Sequence, residues 1–244
     1  MTLPAFPEGS FQRVLCVVAH PDDMEYGSSA AVAHWTASGV EVGYLLLTRG
    51  EAGMPNPPEE TARLRVAEQK AACAVVGVEH LTILEHSDGV LVYGLDLRRD
   101  ICREIRKFKP DAVLGSSFAV EAPWGFDQAD HRAAGLATLD ALRDAGNRWI
   151  FPEQVEEGLE PHSPRWYLVP AMGPNATHGV DVTGEPLRRG VASLEAHAAY
   201  LAALPGHPAP AEFIPKLAEM SGKAMGVEHA VLFRAHDLQA PPEF

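Results

Sequence analysis

The chain has 244 residues, 46% of them hydrophobic, and 20 basic against 33 acidic residues give a formal charge of −13. At this length a single α/β domain over residues 1–244 buries a sizeable core. The acidic balance argues against nucleic acid and anionic membrane surfaces as partners. Cys16, Cys73 and Cys102 stand far apart in apolar segments without CxxC spacing, so they read as buried hydrophobes in a reducing compartment. No basic start leads into an apolar stretch and no run of about 18 apolar residues occurs, so a soluble, cytoplasmic protein is expected.

Residues 13–19, RVLCVVA, read as a β-rich strand, and 27–38 carry apolar residues at helical spacing up to Gly39. VEVGYLLLT at 40–48 is a second buried strand, followed by the loop RGEAGMPNPP. A helix over about 59–76 places Leu64, Ala67, Ala71 and Val75 on one stripe, with Arg63 and Arg65 on its polar face. LTILE at 81–85, a helix over about 96–107 and DAVLGSS at 111–117 continue the alternation, and a helix over 130–143 follows. RWYLVP at 165–170 and HGVDVT at 178–183 are short strand candidates. After them come a helix over 185–203, a Pro-rich segment at 205–215, a helix over about 215–225 and a last strand in VEHAVLFRAH. This alternation predicts a Rossmann-like α/β fold, a mostly parallel sheet with helices on both faces.

In such sheets ligands bind outside the carboxyl ends of the strands. AHPDD, residues 19–23, occupies the first such loop. No G-x-G-x-x-G, Walker A or G-x-S-x-G pattern accompanies it, which disfavours dinucleotides, nucleotide phosphates and a serine nucleophile. Adjacent carboxylates beside an imidazole are stable together when a cation offsets their repulsion or one holds a proton. A catalytic metal with three protein ligands and one open position meets this need. His20 and one of Asp22 and Asp23 would bind the ion at the carboxyl end of the first strand, leaving the other Asp as a base. The third ligand belongs to another loop on the same rim. His131, in EAPWGFDQADHRAAG and preceded by Asp127 and Asp130, has the best position of the 11 histidines. A plain helix cap accounts for the Asp pair but not for His20 or Pro21. The remaining histidines carry no ligand spacing, and SDG at 87–89 is first of all a turn.

With AHPDD, TRGEAG (48–53), RVAEQKAACAVVG (65–77), KPDAVLG (109–115), the Asp-His of 130–131 and the helix around His197, the chain resembles the PIG-L/LmbE-like deacetylases. The resemblance implies a zinc-dependent enzyme, with iron(II) as the competing ion, that removes N-acyl groups from N-acetylglucosamine-containing and related small molecules. It implies His20, Asp23 and His131 as metal ligands and Asp22 as general base. Arg65, in an R-x-x-E pattern with Glu68, and Asp88 match positions that bind the sugar. Many members have H-x-D-H where this chain has QADH, so Gln128 stands in place of a histidine that stabilises the oxyanion. An amide donates a hydrogen bond but delivers no proton, so the acid role passes to protonated Asp22 or to His197. Asp130 is expected to orient an imidazole from behind, and Glu25 to supply charge at a helix N-terminus. Two alternatives stand beside this reading: an amidase on thiol S-conjugates or acylated secondary metabolites, and a catalytically weak metal-binding sensor, suggested by Gln128. The loops at 54–58 and 205–215 and the segment 150–165 are assigned to the cleft or to a subunit contact in a homo-oligomer.

Overall fold

The computed structural model describes residues 2–122 and 125–240, so Pro123 and Trp124 of the EAPWG segment lie outside the described residues. The first half alternates as expected: β1 (Arg13–Val18), α1 (Asp23–Gly27), α2 (Ser29–Ala37), β2 (Glu41–Leu46), α3 (Pro58–Val76), β3 (His80–Ile83), α4 (Leu95–Phe108) and β4 (Ala112–Gly115). A short hairpin, β5 (Glu121–Ala122) and β6 (Gly125–Phe126), leads into α5 (Ala129–Gly146). The second half holds α6 (Pro152–Glu156), β7 (Trp166–Pro170), β8 (His178–Asp181), α7 (Glu185–Glu195), α8 (Ala198–Ala202), α9 (Pro210–Met225) and β9 (Ala230–Asp237).

Seven strands form one sheet in the order β3-β2-β1-β4-β7-β9-β8. The first five run parallel, and β9 pairs antiparallel with both β7 and β8. Alternation along β1 divides its side chains between two cores. Val14, Cys16 and Val18 pack with Trp35, Val76 and Leu194 on one face, whereas Leu15 and Val17 pack with Ile101, Ile105, Ala137 and Ala141 on the other. Helices therefore cover both faces, as expected. On α4, Leu97, Ile101 and Ile105 recur every four residues and are at most 2% exposed. Each such side chain contributes about 1.5–3 kcal/mol by burial. All three cysteines are free and buried. Among the described residues no helix is long and apolar enough to cross a membrane.

Three local expectations are corrected. The stripe expected to face inward on α3 does not: Ala67 and Ala71 are exposed, while Thr61, Arg65, Gln69, Ala72 and Val76 are buried. Arg65 is thus not on the polar face of α3, because the surface beneath it carries buried carboxylates and selects polar partners. The helix expected over 185–203 breaks at His197, whose φ of −83° and ψ of 49° are not helical. The Glu68 carboxylate accepts the backbone N–H groups of Ala199 and Tyr200 and so restarts the chain as α8. The helix expected over 27–38 is preceded by a separate turn, α1, that begins directly behind Asp22.

Candidate active site

β1 and β4 are adjacent in the sheet, so the loops that leave their carboxyl ends share one rim. The first carries His20, Asp22 and Asp23. The second leads to α5, whose first turns hold Asp130 and His131. One donor atom each from His20, Asp23 and His131 lies within 4.8 Å of the others. Asp23 Oδ1 is the hub, 3.1 Å from His131 Nε2 and 3.6 Å from His20 Nδ1. The other oxygen of Asp23 accepts the backbone N–H of His20 at 2.9 Å.

Each imidazole is held from behind by carboxylates. His131 Nδ1 lies 2.8 Å from Asp127 Oδ1, and His20 Nε2 lies 3.0 Å from Asp88 Oδ1 and 3.3 Å from Asp130 Oδ2. Asp130 also accepts the backbone N–H groups of Gly89 and Leu91 at 2.7 and 3.0 Å. His20, Asp88 and Asp130 form a second cluster with ligand spacing. Its distances are hydrogen-bond distances, and both Asp130 oxygens already serve backbone donors. It reads as the clamp on His20, with Nδ1 left facing Asp23 and His131. Asp130 thus stands behind His20, while the partner of His131 is Asp127. No role for Asp127 is read from the sequence, although it precedes His131 by one helical turn.

The charges interlock. Burial opposes charge on His20, yet the hydrogen bonds it donates to Asp130, Asp23 and Asp88 outweigh it and push the imidazole up to about 12. Burial likewise opposes charge on His131, and Asp23 and Asp127 raise it to about 9. Asp23 is held well below the usual carboxylate range: burial would raise it, but His131 and His20 prevail. Without an ion, protons on two imidazoles compensate the carboxylates. A divalent cation would replace them, and this donor set of two imidazole nitrogens and one carboxylate oxygen fits it.

Asp22 is the residue set apart. Its φ of 86° lies in the left-handed region that a non-glycine residue rarely occupies. Two residues one turn apart on α3 hold it there. The Asp22 N–H donates to Gln69 Oε1 at 3.0 Å, and Arg65 Nη2 lies 2.9 Å from Asp22 Oδ1. Asp22 Oδ2 is buried with no hydrogen-bond partner. Burial pushes this carboxyl up to about 7, with Arg65 pulling it down and Asp23 pushing it up. The Arg65 guanidinium also donates to the Pro21 and Gly50 carbonyls and lies 4.1 Å over the Tyr200 ring. A Cβ on Gly50 or Gly53 would stand 2.4 or 2.6 Å from Arg65 Nη1, so the TRGEAG loop needs glycine at both positions. Beneath, Glu25 accepts from Gln69 Nε2 at 3.1 Å, and its other oxygen lies 3.7 Å from His197 Nε2.

A cavity of about 1250 Å³ opens over the rim, and His20, Asp22, Asp23, Arg65, Asp88, Gln128 and His131 all line it. Gln128 is exposed at the N-cap of α5, and its side chain makes no capping hydrogen bond. Asp88 Oδ2 accepts the Ala52 N–H at 2.7 Å. His197 is wholly buried and does not line the cavity. It sits below Asp22 rather than beside a substrate. Glu25 stands in the first turn of α1, where charge at a helix N-terminus is expected, and is buried there under the loop.

The class defined by this fold and rim is an α/β protein with a two-histidine, one-aspartate centre beside a buried, unpartnered carboxylate. The family described as PIG-L, GlcNAc-PI de-N-acetylase, matches residues 15–142, just over half of the chain, and the chain belongs to that family. It is 33% identical over 177 residues to a diacetylchitobiose deacetylase of Thermococcus kodakarensis, covering 70% of this chain and 62% of the relative. It is 28% identical over 217 residues to a 1D-myo-inositol 2-acetamido-2-deoxy-α-D-glucopyranoside deacetylase of Kineococcus radiotolerans, covering 72% and 58%. The chain thus spans about 60% of the length of these curated relatives. The N,N'-diacetylchitobiose deacetylase from Pyrococcus horikoshii shares the fold, with a TM-score of 0.84 at 22% identity over 95% of this chain and 86% of that one.

Proposed function

We propose that this protein is a metal-dependent N-deacetylase that hydrolyses the acetamide of a small N-acetylglucosamine-containing conjugate. The observation that carries the reading is the unpartnered, buried Oδ2 of Asp22, a residue that lines the cavity next to the ligand candidate Asp23. An acceptor left empty in this way costs about 1–3 kcal/mol unless a ligand or water proton fills it. The named activities of the two deacetylase relatives support the substrate class.

His20, Asp23 and His131 would hold the ion, zinc or iron(II). When bound, the ion supplies Lewis acidity, which polarises a carbonyl and acidifies water. Asp22 Oδ2 takes the proton of the attacking water, and the same carboxyl returns it to the departing nitrogen, giving acetate and a free amine. Cationic charge at the centre favours the ionised form of Asp22, whose pKa burial raises to about 7 even against the pull of Arg65. Gln128, at the mouth, donates its amide N–H to the oxygen on which negative charge develops. Asp88 keeps unused lone pairs, and Arg65 unused N–H groups, for sugar hydroxyls. The main work of Arg65 is to fix Asp22. His197 acts on Asp22 from below through Glu25 and does not deliver a proton to substrate. The three buried thiols fit a cytoplasmic setting.

Free amine released from N-acetylglucosamine conjugates, compared with a chelator-treated control, tests the reading. Steady release that chelation stops is expected. Equal signal with and without chelator would overturn it, and an inert metal-loaded protein would favour the sensor alternative.

A further inference from the structure

Helices do not cover the whole sheet evenly. α4 and α5 pack over β1, β2 and β4, whereas the cavity runs on from α5 across the same face of β7 and β9. Directly paired residues of antiparallel strands point to the same face. Tyr167 and Val169 of β7 are therefore joined on that face by their partners His236 and Arg234 of β9. All four line the cavity, together with Ser116 and Ser117 at the end of β4.

Arg234 differs from Arg65, the other arginine that lines the cavity. Arg65 is engaged by Asp22 and two carbonyls, but Arg234 has no carboxylate within 4 Å and no side-chain hydrogen bond among the described residues. Among the described residues, eight of the 15 arginines have a carboxylate within 4 Å. The His236 imidazole, next to it on the strand face, also lacks a hydrogen-bond partner among the described residues, and it stacks on Tyr167 at 6.3 Å. Continued by one residue, the β4–β7 register sets Gly115 level with Val169, which pairs with Arg234. Two strand spacings then put Arg234 about 10 Å across the sheet from Gly115, where β4 ends.

We infer that Arg234 and His236 form an anion subsite of the substrate cleft, which receives a carboxylate on the aglycone of the amino sugar. The inference rests on the deacetylase reading for the identity of the sugar only. Burial and the neighbouring Arg234 charge lower the pKa of His236, so its imidazole is neutral and offers one N–H donor. The subsite thus carries a single positive charge, which matches a carboxylate better than a doubly charged phosphate. The guanidinium supplies a planar fork for the two oxygens.

The test uses two N-acetylglucosaminides whose aglycones are identical except that one ends in a carboxylate and the other in the carboxamide. Binding is measured by calorimetry on the metal-free protein, and kcat/KM by amine release on the metal-loaded protein. The carboxylate glycoside is expected to be preferred by about tenfold or more in both. Arg234→Gln brings the ratio close to one, and Arg234→Lys retains part of it. A ratio is insensitive to the fraction of variant that folds. Equal or undetectable binding of the pair to the unaltered protein, or a preference that survives Arg234→Gln, overturns the inference. A binding preference without amine release from either glycoside leaves the subsite standing and removes the deacetylase reading.

Discussion

Arg65 and Asp22 form an ion pair of 2.9 Å in which the side chains are only 3% and 6% exposed. Removing the cation strands a buried carboxylate. Arg65→Met is expected to destabilise the protein by about 3–5 kcal/mol. It should also move the acidic limb of the kcat profile to higher pH, since Arg65 is what pulls Asp22 down against burial. Denaturant melts and a pH–rate profile at fixed metal content check both effects, and an unmoved limb would separate Arg65 from the base.

Asp22 and the three donors should fail in different ways. Asp22→Asn keeps the metal and loses about 10²–10⁴-fold in kcat. His20→Ala, Asp23→Ala and His131→Ala lose the metal itself. Elemental analysis of dialysed protein alongside an amine-release assay separates the two outcomes, and near-normal turnover by Asp22→Asn would reassign the base.

Asp127 never meets the ion in the proposed arrangement, yet it sets the orientation of His131 through Nδ1 at 2.8 Å. Asp127→Asn should weaken metal affinity by about 10–100-fold. Competition with a chromogenic chelator measures this, and an unchanged dissociation constant would show that the His131 ring needs no such support.

Gln128 carries the departure from the histidine common in the family. If its amide N–H serves the developing oxyanion, Gln128→Ala lowers kcat by about 10²-fold with little change in KM. A change confined to KM would place Gln128 in ground-state binding instead.

The metal-free protein should lose stability as pH rises. Asp22 titrates at about 7 when folded against an ordinary 3.8, and His131 at about 9 against 6.5. With His20 also raised, to about 12 against 6.5, the folded state binds more protons than the unfolded chain from about pH 4 to beyond pH 9, and its stability declines through that interval. The contribution of His131 is complete below about 6.5 and is lost as pH passes its folded value. Asp23, Asp88 and Asp130, held low, act in the opposite sense only below about pH 4. Thermal melts of chelated protein between about pH 6 and 9.5 should slope downward. Metal uptake should release protons, measurable by calorimetry in buffers of different ionisation enthalpy.

The centre was legible because local chemistry dictates it. Asp22 and Asp23 beside His20 cannot share a strand end without compensation, and the mostly parallel α/β architecture follows from alternating periodicities, whereas the insertion of β9 between β7 and β8 does not. What periodicity could not find was the inward face of α3. Leu64, Ala67, Ala71 and Val75 are the apolar residues there, but the helix turns Arg65 and Gln69 inward, because Asp22 and Glu25 wait beneath it. Hydrophobic patterning fails where the core it faces is charged. The break at His197 was equally hidden, since Glu68, which restarts the helix, lies about 130 residues earlier in the chain.

The Glu68 clamp on α8 has a wider meaning. The proposed donors to the ion and the proposed base all lie between residues 20 and 131, inside the family-matched segment 15–142. Tyr200, which covers Arg65, and Arg234, which faces the cavity, come from the remaining hundred residues. That later stretch joins the earlier one through the β4–β7 pairing and the shared core, and the Glu68 carboxylate on α3 adds a fixed point at α8. The later stretch therefore adds the far wall of the cleft to a rim that the earlier one already carries, and a change of the C-terminal portion reaches the aglycone end of the cavity first.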